Sequence, residues 1–188
     1  MSTAEPKQKS KNESAPNSAK ESMSIPSSMD IGLEASRKGN FQMARKMFRA
    51  AIEQLEGQPD KQPRQVELIT NIADSYLNEG THDSAKTWYN KALEKLEPKN
   101  TLQAACLYGR LAEVNALMSE MGDFQKNFEH VQRIYLLCEE TEISILLNSL
   151  MDLSWVLCIQ GHLEEVKQVN NLINQIKLID EEDRIVAA

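Results

Sequence analysis

Catalysis by side chains requires a nucleophile, a base and an orienting group that converge, or several metal-ligating groups at short spacing. The chain has three histidines, His82, His130 and His162, more than thirty residues apart in sequence and assigned by the pattern below to different helical hairpins. Cys106, Cys138 and Cys158 are equally dispersed and form no CxxC pair, so small apolar roles suit them better than metal or redox chemistry. The carboxylate runs Glu139-Glu140-Glu142 and Asp180-Glu181-Glu182-Asp183 lack the spaced loop of a calcium site. No GxxxxGK[ST], GxGxxG or GxSxG motif occurs. No catalytic residue, metal or cofactor is expected, and the protein reads as a non-enzyme.

Composition narrows the remaining classes. The 188 residues carry 21 Lys and Arg against 28 Asp and Glu, a net charge of −7, which gives no electrostatic basis for binding nucleic acid or anionic lipid. No run of 18 apolar residues and no signal-peptide-like apolar segment is present, so neither a membrane nor a secretory route is expected, and the odd cysteine count fits reduced thiols in the cytoplasm. Residues 1–28 hold eight Ser, three Pro and one branched aliphatic residue, Ile25. Such a segment buries too little apolar surface to offset chain entropy, and a disordered tail is expected there, with a folded domain over residues 29–188.

Within that domain apolar residues recur at helical spacing, as in Ile69, Ile72, Ala73, Tyr76 and Leu77, and no segment alternates like a strand. A repeat then becomes visible. Gly39 is followed by Ala44, Phe48 and Ala51, and Gly80 by Ala85, Tyr89 and Ala92 at the same offsets. Gly122 and Gly161 mark two further units, so the four glycines stand 41, 42 and 39 residues apart. Each unit reads as two antiparallel helices turning at the glycine, where positive φ or close approach excludes other residues. The units cover approximately residues 29–58, 65–98, 101–140 and 143–179. One hairpin cannot bury its own apolar face, so stacking is required, and the expected fold is an all-α right-handed superhelical solenoid of about four hairpins.

The glycine turn, the Ala-x-x-x-aromatic-x-x-Ala return helix and the small residue seven positions before the turn (Gly32, Ala73) resemble the tetratricopeptide repeat. The likeness is closest over residues 25–98. The spacing near 40 is similar to the longer-repeat subgroup that includes kinesin light chains and bacterial scaffolds. Asn127, Val131 and Ile134 take the conserved-type positions in the third unit, and Val166, Asn170 and Ile173 in the fourth.

A curved helical stack presents a concave face suited to a peptide or partner helix. Counting from the glycines, that face takes in Leu33, Arg37, Thr70, Asn71, Asp74, Asn78, Ala112, Ala116, Glu120, Met151 and Trp155. The resemblance implies that asparagines such as Asn71 and Asn78 grip a peptide backbone, whereas Glu67 and Asp74 argue against the basic clamp that holds chaperone C-termini. Trp155 is the apolar anchor of choice. The amphipathic stretch from Glu164 to Ile179 closes the stack or supplies a homodimer interface. The expected work is that of an adaptor or scaffold for a protein partner, with a dedicated chaperone for a secreted or assembling client as the alternative and a small-ligand-regulated sensor as the remaining one.

Overall fold

A computed structural model describes residues 25–137 and 144–186. Among them the chain forms eight α-helices: α1 (Ile25–Arg37), α2 (Phe41–Gln54), α3 (Gln62–Asn78), α4 (His82–Lys95), α5 (Leu102–Leu117), α6 (Met121–Leu137), α7 (Ser144–Gln160) and α8 (Leu163–Val186). A short 3-10 turn, Pro59–Lys61, precedes α3. The helices pack as consecutive hairpins, α1 on α2, α3 on α4, α5 on α6 and α7 on α8. Helix α1 begins at Ile25, so residues 25–28 lie in a helix rather than in the tail. Pro26 is tolerated in a first turn because its missing N–H has no intrahelical partner there, and Ser28 and Met29 are buried.

Four turns of one design join the hairpins. In the first, the Gly39 amide donates to the Ser36 carbonyl at 2.9 Å and the Asn40 amide to that of Ala35 at 2.8 Å. The same pair recurs as Gly80 to Leu77 and Thr81 to Tyr76, and as Gly161 to Cys158 and His162 to Leu157. This is the Schellman closure, which requires a left-handed residue just past the helix end. Gly39, Gly80 and Gly161 meet it at φ of 74°, 80° and 80°.

The third turn corrects the sequence reading. Its left-handed residue is Ser119, at φ 60°, with the Ser119 amide donating to Ala116 and the Glu120 amide to Asn115. Gly122 lies inside α6. Glycine is the usual occupant of such a turn, which is why a glycine three residues away was mistaken for it.

Counting from Ser119 restores the repeat. Phe124, Phe128 and Val131 stand where Ala44, Phe48 and Ala51 stand after Gly39, and all six are fully buried or nearly so, as are Ala85, Tyr89 and Ala92. The third hairpin is therefore regular, and Asn127 and Ile134 do not hold the positions assigned to them. In the fourth, Val166 is half-buried and Asn170 exposed, while Val169, Leu172, Ile173 and Ile176 are buried. Asn170, Asn171, Asn174 and Gln175 turn a polar face to solvent, as expected of a terminal repeat that no further hairpin covers.

Stacking changes between the third and fourth hairpins. Helix α2 packs on α3 and α4 on α5, but α7 packs mainly on α5, with at most marginal contact to α6. Gly109 of α5 permits this approach, since a Cβ there would lie 2.9 Å from Ser149 Oγ of α7. Most of the apolar side chains of the last three hairpins join one core, and α1, α2 and the facing residues Leu68 and Ile72 of α3 form a second.

Candidate functional site

The first helices of the second, third and fourth hairpins enclose a cavity of about 420 Å³. Thr70, Asn71 and Asp74 of α3, Gln103 and Arg110 of α5 and Ser149 of α7 contribute to its lining. Its chemistry is set by the helical spacing of polar residues that face away from the core. Asn71 and Arg110 each lie nine residues before their turn residue, and Asp74 and Glu113 each lie six before.

A charged network borders the cavity. Arg110 Nη1 lies 2.8 Å from Glu113 Oε2 and 3.1 Å from Asp152 Oδ2, joining α5 to α7. The Tyr89 hydroxyl, fully buried, donates to Asp74 Oδ1 at 2.5 Å. Burial pushes the Asp74 carboxyl above its ordinary range, opposed by that hydrogen bond and by Arg110. Glu113 is raised for the same reason, with Arg110 opposing and Asp152 adding to the rise. Burial and the neighbouring Asp74 carboxylate together lift the Tyr89 phenol well above its usual value. Burial works against the Arg110 cation, but Glu113 and Asp74 outweigh it and hold the guanidinium charged. Three carboxylates thus face one guanidinium, and of these four groups Asp74 and Arg110 line the cavity.

The sequence-expected positions divide on this geometry. Asn71, Thr70 and Asp74 line the cavity; the Thr70 hydroxyl is turned to the Val66 carbonyl at 2.9 Å. Arg37, at the end of α1, is exposed and pairs with Glu34 at 3.6 Å, and Asn78, at the end of α3, is exposed and outside the lining. Leu33 packs against the N-terminal core. Met151 and Trp155 are exposed on α7 and outside the lining. Ala112 and Ala116 are corrected: both are fully buried. Glu120 is corrected too, since it sits at the third turn and pairs with Lys86 of α4 at 2.5 Å.

All three corrections follow from the three-residue error at Gly122. The turn at Ser119 places Arg110 and Glu113 on the groove, and these, with Asp152, are the functional candidates that sequence reasoning missed. The available signal was the Phe124, Phe128 and Val131 pattern, which fits the repeat only from Ser119.

The histidines remain apart: His130 stacks on Tyr108 with ring centroids 4.4 Å apart, while His82 and His162 are half-buried beside separate turns. Among the described residues no group of three or more His, Cys, Asp or Glu side chains could hold a metal ion, and no helix is long and apolar enough to cross a membrane. Cys138 and the Glu139-Glu140-Glu142 run lie outside the described residues.

No curated protein matches the sequence. Residues 66–94, from the second turn of α3 to the end of α4, match the model of the tetratricopeptide repeat, a family whose members are in general protein–protein interaction modules.

Proposed function

We propose that this protein is a non-catalytic adaptor that binds a segment of a protein partner along the face formed by α3, α5 and α7. The observation that carries this reading is the cavity between those helices, an open groove whose polar groups come from three successive repeats. Asn71, Gln103 and Arg110 there offer amide and guanidinium donors to a peptide backbone, and the apolar side chains of Leu102 and Leu107 lie beside them. The hairpin spacing of 39 to 42 residues supports placing the protein with the longer-repeat scaffolds it resembles, working in the cytoplasm as a single helical-repeat domain.

The test compares capture of partners from native lysate by the wild-type chain and by Asn71→Ala/Gln103→Ala. Both side chains are at least partly exposed, so helical circular dichroism should be unchanged. A specific partner should be lost from the double variant and retained by Lys91→Ala, on the opposite face of the second hairpin. Equal capture by all three proteins would place binding elsewhere.

A further inference from the structure

We propose that the outward face of α7 is a docking surface for a basic amphipathic helix of a partner protein. The proposal rests on the reading of this chain as a protein-binding module, and of the stripe residues it uses only Ile145 also lines the groove.

Helix α7, SILLNSLMDLSWVLCIQ, is mostly apolar and carries one charged residue, Asp152. A helix of that kind belongs in an interior. Leu146, Leu150, Leu153 and Leu157 are indeed buried, yet Ile145 is 64% exposed, Met151 52%, Trp155 68% and Ile159 68%. At 100° per residue these four occupy one side of the helix, with Trp155 near its middle and directly opposite the buried leucines, and the exposed Asn148 and Asp152 fall among them. Leu163, at the start of α8, is also exposed and continues the stripe.

An unfinished repeat array does not account for it. The surface on which a fifth hairpin would stack is that of α8, where Asn170, Asn171, Asn174 and Gln175 are exposed together with Leu178. The apolar stripe lies on a different helix.

The shape and charge of the surroundings select the occupant. From Ile145 to Ile159 the stripe runs about 21 Å, the length of a four-turn helix. It exposes apolar surface on the order of 500 Å², enough to mark an interaction site but short of the roughly 800 Å² per partner of a stable dimer. A single helix laid along it therefore fits better than a second copy of the chain. Near one edge of the stripe stands Asp152, whose side chain is 56% exposed and lies 3.1 Å from the Arg110 guanidinium. At the far end, Glu164 and Glu165 open α8, with Lys167 paired to Glu164 at 2.7 Å. Ile145 also lines the cavity, so the stripe is continuous with the groove. A partner helix with one apolar side and lysine or arginine beside it meets both features.

The probe is a synthetic 18-residue helical peptide with leucines on one face and lysines flanking them, titrated into the full chain carrying Trp88→Phe. Trp155 is then the sole tryptophan, and its emission should shift to the blue as the peptide covers it. A peptide with glutamates in place of the lysines, and one with the lysine peptide's residues in scrambled order, should each bind more than about tenfold more weakly. Met151→Ser/Ile159→Ser, at exposed positions, should lose binding by a similar factor with unchanged circular dichroism.

Equal affinity for the glutamate peptide, or undiminished binding to the double variant, would overturn the proposal. So would sedimentation showing a dimer that the double variant abolishes, or Trp155 emission that reddens when residues 1–24 are deleted. Asn71→Ala/Gln103→Ala separates the two readings. If it loses its lysate partner while the peptide fails to bind the wild type, the groove stands and the α7 surface falls. The reverse pair of results leaves the α7 surface standing without the groove.

Discussion

A Cβ on Gly32 would lie 2.6 Å from Cε1 of Phe48, whose ring is almost wholly buried against it. The two residues are sixteen apart, and the same offset relates Ala73 to Tyr89, Ala112 to Phe128 and Ser154 to Asn170. In the last pair the ring is gone and the Ser154 hydroxyl donates to Asn170 Oδ1 at 2.9 Å. A small residue beneath a ring is how one helix of each hairpin accommodates the other, and the final hairpin, whose return helix faces solvent, replaces it with a polar contact. Gly32→Ala should therefore destabilise the chain by about 1 to 2 kcal/mol, overpacking exceeding the helix-propensity gain. Denaturant melts of Gly32→Ala, Phe48→Leu and the double variant check it. The double variant should lose less than the two single effects added together, and simple additivity would mean that the pair does not interact.

Ser119 in a left-handed turn is the position that glycine occupies in the other three hairpins. Ser119→Gly should stabilise by roughly 1 kcal/mol, since the side chain there costs energy that glycine does not. Gly80→Ala should have the opposite sign and a similar size. Gly122→Ala, inside a helix with open space at its Cβ, should be neutral or mildly stabilising. Thermal melts of the three variants measure this, and a Gly122→Ala as damaging as Gly80→Ala would contradict the turn at Ser119.

Asn115 is fully buried on α5, and neither atom of its amide has a hydrogen-bond partner among the described residues. The matching position in the other hairpins holds Ala35, Tyr76 and Leu157. Asn115→Leu, close in volume, should remove the desolvation penalty and stabilise by about 1 to 2 kcal/mol, raising the melting temperature by several degrees. Calorimetry that finds the variant less stable would show that the amide is satisfied in solution.

Asp74 provides a pH signature. Its folded-state pKa is raised by burial, so its contribution to stability is complete below the ordinary aspartate value near 4 and is lost as pH rises through the folded value. Asp74→Asn keeps an acceptor for the Tyr89 hydroxyl without that loss. The melting temperature of Asp74→Asn minus that of the wild type should therefore become more positive between about pH 4 and pH 7. A difference that instead falls over this range would mean that Arg110 outweighs burial at this carboxyl.

The sequence by itself determined that the chain is helical, that it repeats near every 40 residues, and that alanines and aromatic rings at set offsets join each hairpin. These features are local, written in helical period and in the backbone demand of a turn, and they are legible wherever glycine meets that demand. At Ser119 it does not, and the three-residue slip that followed hid Arg110 and Glu113 and moved Ala112, Ala116 and Glu120 onto a face they do not occupy.

Tertiary structure decided the rest. Whether α7 stacks on α6 or on α5 depends on which surfaces can come close, and Gly109 against Ser149 decides it through a contact between residues forty apart. That choice links Asp152 to Arg110 and leaves Trp155 uncovered. No periodicity along a single helix reveals this, because an apolar residue has the same spacing whether another helix covers it or none does.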